Sequence, residues 1–311
     1  MKAGISGSAA ERFVPETAIP RNRFAFTCGV IRSFEHAEFP LELLLERKRQ
    51  TLSVVLPARG VADTVGQIVE RVLSLEGLVD QVLVIDAASS DGTADVAERA
   101  GAEVRQEAEL LPELGPVLGK GDALYRSLAA ATGDLVLFVD ADTRDFERHF
   151  VTGLAGPLMA AEGVRFVKGA YKRPFVTDGV EVPDGGGRVS QLTARPLLSA
   201  FYPDLADLRQ PLAGEIAAPR DVLERLPFAT GYAVEAAMLL DAREMVGAGA
   251  LAQVDIGERR NFHQPLEALR PMADTVLAVV CERLRRDGRL TSDSPPPIVE
   301  RPPFASLRAA A

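Results

Sequence analysis

The sequence predicts an α/β protein built on a mostly parallel, doubly wound sheet. Over residues 51–145, short β-branched apolar runs take turns with stretches whose apolar residues recur at helical spacing. The runs are apolar throughout, with no polar alternation, as expected of parallel strands covered on both faces. Two of them end in aspartate, VLVID at Asp86 and LVLFVD at Asp140. The carboxyl ends of strands are where an open α/β sheet binds ligands.

Residues 1–50 are polar and mixed, with Pro15, Pro20 and Pro40, and read as an N-terminal arm that packs on the body or on a second subunit. The run LSVVL (52–56) is the first strand, and residues 63–75 (DTVGQIVERVLSL) carry helical periodicity. VLVI (82–85) is the second strand. Asp91 is able to cap the helix that follows, DGTADVAERA. A weaker strand lies near 102–105, a helix over 122–131, and a buried strand at LVLFV, 135–139. Residues 146–290 form the second half of the same domain. Here 164–170 reads as a strand and 176–187, with its DG and GGG, as a loop. Helices are expected over 189–200, 220–226, 233–246 and 266–285, with a strand at 253–256. The tail from 291 to 311, containing SDSPPPIVERPPF, reads as extended or mobile. There is no internal repeat.

Composition narrows the function. The 311 residues are 47% hydrophobic and 25% charged, the balance of an ordinary globular protein. No apolar run approaches the ~20 residues needed to span a bilayer, and the first residues lack a charged-then-apolar export pattern, so a cytoplasmic location with no membrane partner is expected. Cys28 and Cys281 fit no metal-ligand spacing and read as reduced thiols. A net charge of −9 argues against a nucleic-acid partner, which calls for a broad basic surface. A small anionic substrate needs only a local cluster of cations and backbone N–H groups.

The chemistry gathers at Asp140-Ala141-Asp142. Carboxylates at i and i+2 just past a strand can converge on a hard divalent cation, which commonly bridges a carboxylate and a diphosphate. Such a cation neutralises charge developing on a departing diphosphate. Asp86 alone reads equally as a turn-starting residue, and Lys120 alone as a solvated residue before a helix. Gly185-Gly186-Gly187-Arg188-Val189-Ser190 offers close backbone approach, a helix start, a guanidinium and a hydroxyl to an oxyanion. Glycine runs are also simply flexible. Glu235, amid apolar neighbours (AVEAAMLL), falls on a mostly buried helix and needs a partner there.

The pattern LSVVLPA…VLVIDAASSDGT…GKGDALYRSL…LVLFVDADT resembles the nucleotide-binding half of A-type-fold glycosyltransferases. GGGRVSQLTARPLL, QPLAGEIA, LPFATGYAVEAAMLLD and QVDIG…PLEAL narrow the resemblance to the glucosyl- and mannosyl-3-phosphoglycerate synthases of actinobacterial type, over residues 50–285 or so. The resemblance implies a metal-dependent transferase that retains anomeric configuration and moves a hexose from a nucleotide sugar to 3-phosphoglycerate. It makes 51–145 the nucleotide-sugar-binding half and 146–290 a helical acceptor-binding half. It assigns the nucleotide sugar to Pro57, Ala58, Arg59, Asp86, Lys120, Asp140 and Ala141, and the acceptor to Gly187, Arg188, Ser190 and Asn261. Asp142 and His263 would hold Mg²⁺ or Mn²⁺, while Asp142, the Leu212 carbonyl and Glu235 would serve catalysis. A homodimer is expected. Two departures stand out. The acidic stretch usual after the first strand is replaced by Gly60-Val61-Ala62, which shifts the donor expectation from UDP-glucose towards GDP-mannose. In the loop after the QVDIG strand an ungapped reading puts Asn261 where the family carries its metal-binding histidine, with His263 two residues later. Two rival readings use the same residues: a metal-dependent nucleotidyltransferase, and a non-catalytic nucleotide-sugar-binding protein.

Overall fold

The computed structural model describes residues 31–177, 180–182, 185–260, 265–291 and 300–310. Its centre is an eight-stranded sheet. In chain order the strands are β1 (Arg32–Glu35), β2 (Leu52–Ala58), β3 (Gln81–Asp86), β4 (Glu103–Gln106), β5 (Leu135–Phe138), β6 (Phe166–Lys172), β9 (Ile216–Pro219) and β11 (Leu251–Glu258). Two small ribbons supply the missing numbers: β7 (Phe175–Thr177) with β8 (Val180–Val182), and β10 (Phe228–Ala229) with β12 (Glu300–Arg301). The sheet order is β1-β11-β6-β9-β5-β2-β3-β4. All neighbours are parallel except β9, which runs antiparallel to both β5 and β6. The expected mostly parallel α/β sheet is therefore present, with β9 splicing its two parallel parts together.

Period-two geometry divides each strand between two cores. Val55, Leu83, Ile85, Val136 and Phe138 face one way. Val54, Leu56, Val84, Leu135 and Leu137 face the other. The first core is closed by α4 (Lys120–Ser127), α6 (Arg195–Phe201), α7 (Arg220–Leu223), α8 (Val234–Val246), α9 (Leu266–Arg286) and α10 (Phe304–Ala310). The second lies under α1 (Leu41–Arg47), α2 (Val65–Leu73), α3 (Thr93–Arg99) and α5 (His149–Ala160). β2, β3 and β5 are buried along nearly their whole length, which is why they read as continuous apolar runs.

Several segments differ from the sequence expectation. Within 1–50, the described residues from 31 onward are built into the body: β1 pairs with β11, and Phe39 and Leu44 are buried. The stretch 176–187 contains the β7–β8 hairpin, whose short strands the DG and GGG signals masked. β9 went unpredicted because IAAP is only four residues, preceded by the charged Glu215. The helix expected at 189–200 opens with a turn of π-helix, Ser190–Ala194, before α6. The tail, expected to be extended or mobile, packs: Glu300–Arg301 pairs with Phe228–Ala229, and Phe304 is buried against Tyr125. Pairing supplies backbone partners that proline content alone does not reveal.

Candidate active site

Parallel register brings the carboxyl ends of β2, β3 and β5 to one edge. Ala58 is opposite Asp86, and Val139 N–H donates to the Val55 carbonyl at 3.0 Å, so the 140–142 turn emerges beside them. Pro57 lies beyond Val55, the last β2 residue paired with β5, so its missing N–H disturbs no ladder there. Thr64 at the entry to α2 donates to the Ala141 carbonyl at 2.6 Å and fixes the turn from below.

The turn sits in a dense ionic network. Lys120, the first residue of α4, bonds Asp140 at 2.6 Å and Glu235, in the first turn of α8, at 2.8 Å. Arg259, just past β11, reaches the other Asp140 oxygen at 2.9 Å, Asp142 at 2.7 Å and Glu215 at 2.6 Å. Its guanidinium also stacks over Tyr171, whose hydroxyl lies 3.3 Å from Nη1. Gly214 closes the floor: a Cβ there would come within 2.5 Å of an Asp140 oxygen, so only glycine lets the 210–214 turn pass. Beneath it Lys168 of β6, 1% exposed, donates to the Ala213 carbonyl.

The charges are set by partners more than by burial. Burial alone would raise the Asp140 carboxyl, but Lys120 and Arg259 overcome it and hold the group far below the usual range. Burial works against the Lys120 ammonium too, and Asp140 with Glu235 reverses the sign, so Lys120 stays charged. Arg259 keeps its charge against burial through Glu215, Tyr171, Asp140 and Asp142. Glu215 is fully buried, and burial pushes its carboxyl up despite Arg259. Lys168 is the exception among the cations: burial pulls it down to about 8, only partly resisted by Glu235 and Glu215.

Asp140 spends both oxygens on cations, whereas the Asp142 side chain is 57% exposed with one oxygen on Arg259. A divalent cation thus has one carboxylate oxygen open to it. No group of three or more His, Cys, Asp or Glu among the described residues is arranged to hold a metal. That donor set fits a cation shared between Asp142 and a ligand diphosphate, and not one caged by protein alone.

The predicted residues divide into those the fold unites and those it sets apart. Lys120, Asp140, Asp142 and Glu235 form the network, with Ala141 buried between the two aspartates. Asp86 lies on the β3 side of the same edge, 1% exposed. One of its oxygens accepts from Ser89 N–H and Gln106 at 3.0 Å, and the other is buried without a hydrogen-bond partner. Pro57 and Ala58 flank it, while Arg59 is exposed. The cap position of α3 falls on Gly92 and not, as expected, on Asp91, which precedes it and accepts the Thr93 N–H at 3.1 Å. Leu212 packs with Ala194, Leu198 and Leu239 around a small apolar cavity, next to the Gly214 floor. Gly187, Arg188 and Ser190 sit at the mouth of the π-turn, Arg188 over the Phe175 ring at 5.2 Å. This loop lies near the network: a Cβ added to Gly187 would be 3.4 Å from Gln210, Gln210 donates to the Tyr171 backbone carbonyl at 3.2 Å, and the Tyr171 hydroxyl lies 3.3 Å from Arg259. Asn261 and His263 lie outside the described residues.

Sequence reasoning missed Arg259, Glu215, Lys168, Tyr171 and Gln210. Lys168 and Glu215 did carry a signal, each being a charge next to or inside an apolar β-rich run (RFVKGAY, GEIAAP). Arg259 carried none, since only the fold separates it from Arg260, whose side chain is 62% exposed against 4%.

Residues 53–171 match the model of glycosyl transferase family 2. The chain is 46% identical over 235 residues to the glucosyl-3-phosphoglycerate synthase of Mycolicibacterium smegmatis, covering 75% of this chain and 78% of that one. The chain belongs to the glucosyl- and mannosyl-3-phosphoglycerate synthase family. The same-named synthase of Petrotoga mobilis is 40% identical over 267 residues, covering 83% of this chain and 82% of that one. Among solved structures, the mannosyl-3-phosphoglycerate synthase of Rubrobacter xylanophilus superposes with a TM-score of 0.83 at 45% identity, covering 89% of this chain and 97% of that one. The glucosyl-3-phosphoglycerate synthase of Mycobacterium tuberculosis, solved with Mn²⁺, UDP-glucose and phosphoglyceric acid, gives 0.77 at 38%, covering 89% and 99%. Family membership makes this chain a metal-dependent hexosyltransferase of the A-type fold, and the ionic network lies at the carboxyl ends of β2, β3 and β5, the edge where open α/β sheets bind ligands.

Proposed function

We propose that this protein transfers a hexosyl group from a nucleoside diphosphate sugar to the hydroxyl of 3-phosphoglycerate, with retention at the anomeric carbon. The observation that carries the reading is the Lys120–Asp140–Arg259–Asp142 chain of ion pairs, with the glycine-rich Arg188 loop nearby across Tyr171 and Gln210. In this reading the cations of the network serve the diphosphate, and the nearby glycine-rich loop serves an anionic acceptor. The relatives' names and their complexes support the same pair of substrates.

In this reading Asp86 accepts from the nucleobase through its unpartnered oxygen, and Pro57, Ala58 and Arg59 line the nucleoside. Lys120 and Arg259 are the counter-charges for the diphosphate, and each gives up part of its bonding to Asp140 and Asp142 when the donor arrives. Glu235, released from Lys120, receives the sugar hydroxyls. Gly187, Arg188 and Ser190 take the phosphate and carboxylate of the acceptor, and Asn261 is assigned to the acceptor as well. Asp142 and His263 would hold a divalent cation, Mg²⁺ or Mn²⁺, which would supply positive charge to the leaving group. The sugar then meets the acceptor hydroxyl on the face the diphosphate is vacating. The leaving phosphate oxygen takes the hydroxyl proton, and the Leu212 carbonyl stabilises the electron-poor anomeric centre.

GDP-mannose is the favoured donor. Its support is the loss of acidity at 60–62 and the higher TM-score to a mannosyl synthase. Exposed Leu192, Tyr232 and Leu266 on the helical half are consistent with a homodimer. No described helix is long and apolar enough to cross a membrane, in keeping with a cytoplasmic enzyme. The test is purified protein with Mn²⁺ or Mg²⁺, 3-phosphoglycerate, and GDP-mannose or UDP-glucose in parallel. Nucleoside diphosphate release that depends on the acceptor, with an α-linked product by NMR, is expected. Pyrophosphate chemistry points to a nucleotidyltransferase, and binding without turnover to a non-catalytic protein.

A further inference from the structure

The C-terminal strand β12 reaches the donor side of the site from the far end of the chain. Arg301 grips Asp122 with two bonds, Nε to Oδ1 at 2.7 Å and Nη2 to Oδ2 at 2.9 Å, from 179 positions away. Asp122 is fully buried, and the Arg301 side chain is 13% exposed. Asp122 stands two residues after Lys120 in the first turn of α4, and its Oδ2 also accepts the Leu118 N–H at 2.9 Å. Arg301 donates further to the Leu114 carbonyl at 3.1 Å. The same loop is held from inside by Arg126, which donates to Leu110, Leu111 and Gly115 carbonyls. Its outgoing end is pinned by Gly231 N–H on the Leu118 carbonyl at 3.0 Å, three residues before α8 begins.

We propose that Arg301 is a positioning residue for the donor: through Asp122 it sets the 118–120 turn, and so the point from which Lys120 meets the diphosphate. The inference rests on the reading of Lys120 given above. Lys120 has a long, flexible stem, so the place of its ammonium depends on where α4 starts. That start is fixed by Asp122, whose charge is held in the interior by two cations, Arg126 of α4 with Nε 3.2 Å from Oδ2 and Arg301 of the tail with the two-bonded grip. The tail itself is well anchored. Glu300 accepts from Arg283 and Arg286 of α9, Phe304 meets Tyr125 edge-on at 5.3 Å, and Ala305 N–H donates to the Glu224 carbonyl at 2.7 Å. Every side-chain hydrogen bond of Arg301 goes to residues 114, 116 or 122, on the donor side.

The experiment compares wild type, Arg301→Ala and Arg301→Lys, in full-length protein with Mn²⁺. Initial rates are measured with nucleotide sugar and 3-phosphoglycerate varied separately, and GDP and UDP binding by calorimetry. In Arg301→Ala the donor KM and the nucleoside diphosphate Kd should rise by ~10-fold, while the KM for 3-phosphoglycerate stays within ~2-fold. Arg301→Lys, with a point charge in place of the fork, should fall between. A donor KM unchanged in Arg301→Ala, or both KM values rising together, overturns the inference. If Arg301→Ala does not fold, Arg301→Lys decides: a wild-type donor KM there, or loss of folding in it too, makes the contact structural only. Should wild type bind neither nucleotide, the reading of the site falls with it, an outcome distinct from a wild-type enzyme that binds and is indifferent to Arg301.

Discussion

Arg259 is the residue on which the site's charges meet. It is buried and touches Glu215, Asp140 and Asp142, and the Glu215 carboxylate has no other hydrogen-bond partner among the described residues. Arg259→Met leaves a buried carboxylate without its cation, so unfolding free energy in urea should drop by about 3–5 kcal/mol, with activity lost. Lys168 behaves differently. Burial brings it to about 8 in the folded protein, against ~10.4 in an unfolded chain. Between those values the unfolded chain holds a proton that the folded one has released. This group's contribution therefore favours folding more as pH rises through the window, and it costs stability below pH 8. The difference in unfolding free energy between Lys168→Met and wild type should accordingly move in favour of wild type from pH 8 to 10, measured by denaturant titration. The hydrogen bond to Ala213 weakens over the same range, because a neutral amine is a poorer donor. The turnover rate of wild type should therefore fall as pH passes 8, and Arg in place of Lys168 should remove that limb.

At the scale of elements, the sheet edge is held by contacts that tolerate little added volume. α5 crosses the second core with Gly156 against Phe39, where a Cβ would approach the ring to 2.1 Å. Gly156→Ala must push Phe39 aside, away from the site, and should cost about 1–3 kcal/mol, seen as a lower Tm with KM values unchanged at 25 °C. α4 is packed as closely: a Cβ on Gly121 would sit 1.9 Å from the Ala229 carbonyl, where β10 pairs with the tail. Most elements were legible in the sequence, β2, β3, β5, α8 and α9 among them, because buried runs and helical periodicity are local. β9, the β7–β8 hairpin and β12 were not. Each is four residues or fewer: β9 and β12 are strands because of partners far along the chain, and β7 and β8 because they pair with each other in a stretch whose DG and GGG signals read as loop.

For the molecule as a whole, metal and nucleotide should bind as a coupled pair. In the proposed reading Asp142 offers a carboxylate oxygen to the cation and a donor diphosphate would supply further oxygens, with Lys120 and Arg259 as its counter-charges. Thermal melts should therefore rise by more with Mn²⁺ and GDP together than by the sum of the two alone, and EDTA should abolish the excess. Equal, additive shifts would point to two independent sites. The same coupling links the two halves of the chain, since Arg259 and Glu235 come from the second half and Lys120, Asp140 and Asp142 from the first.

The sequence by itself determined the sheet class and the strand end at which the aspartate pair lies, because strand burial and the i, i+2 spacing are properties of neighbours in the chain. It also pointed to Lys120 and Glu235 through a family pattern, without saying that they touch. The tertiary structure alone decided the partners: that Arg259 and not Arg260 turns inward, that Lys168 and Glu215 lie under the reacting edge, and that a tail read as loose closes on Asp122. Ion pairs between residues more than a hundred positions apart leave no local signal. They exist only once the sheet has brought their strands together, and burial then makes each charge depend on the partner it finds.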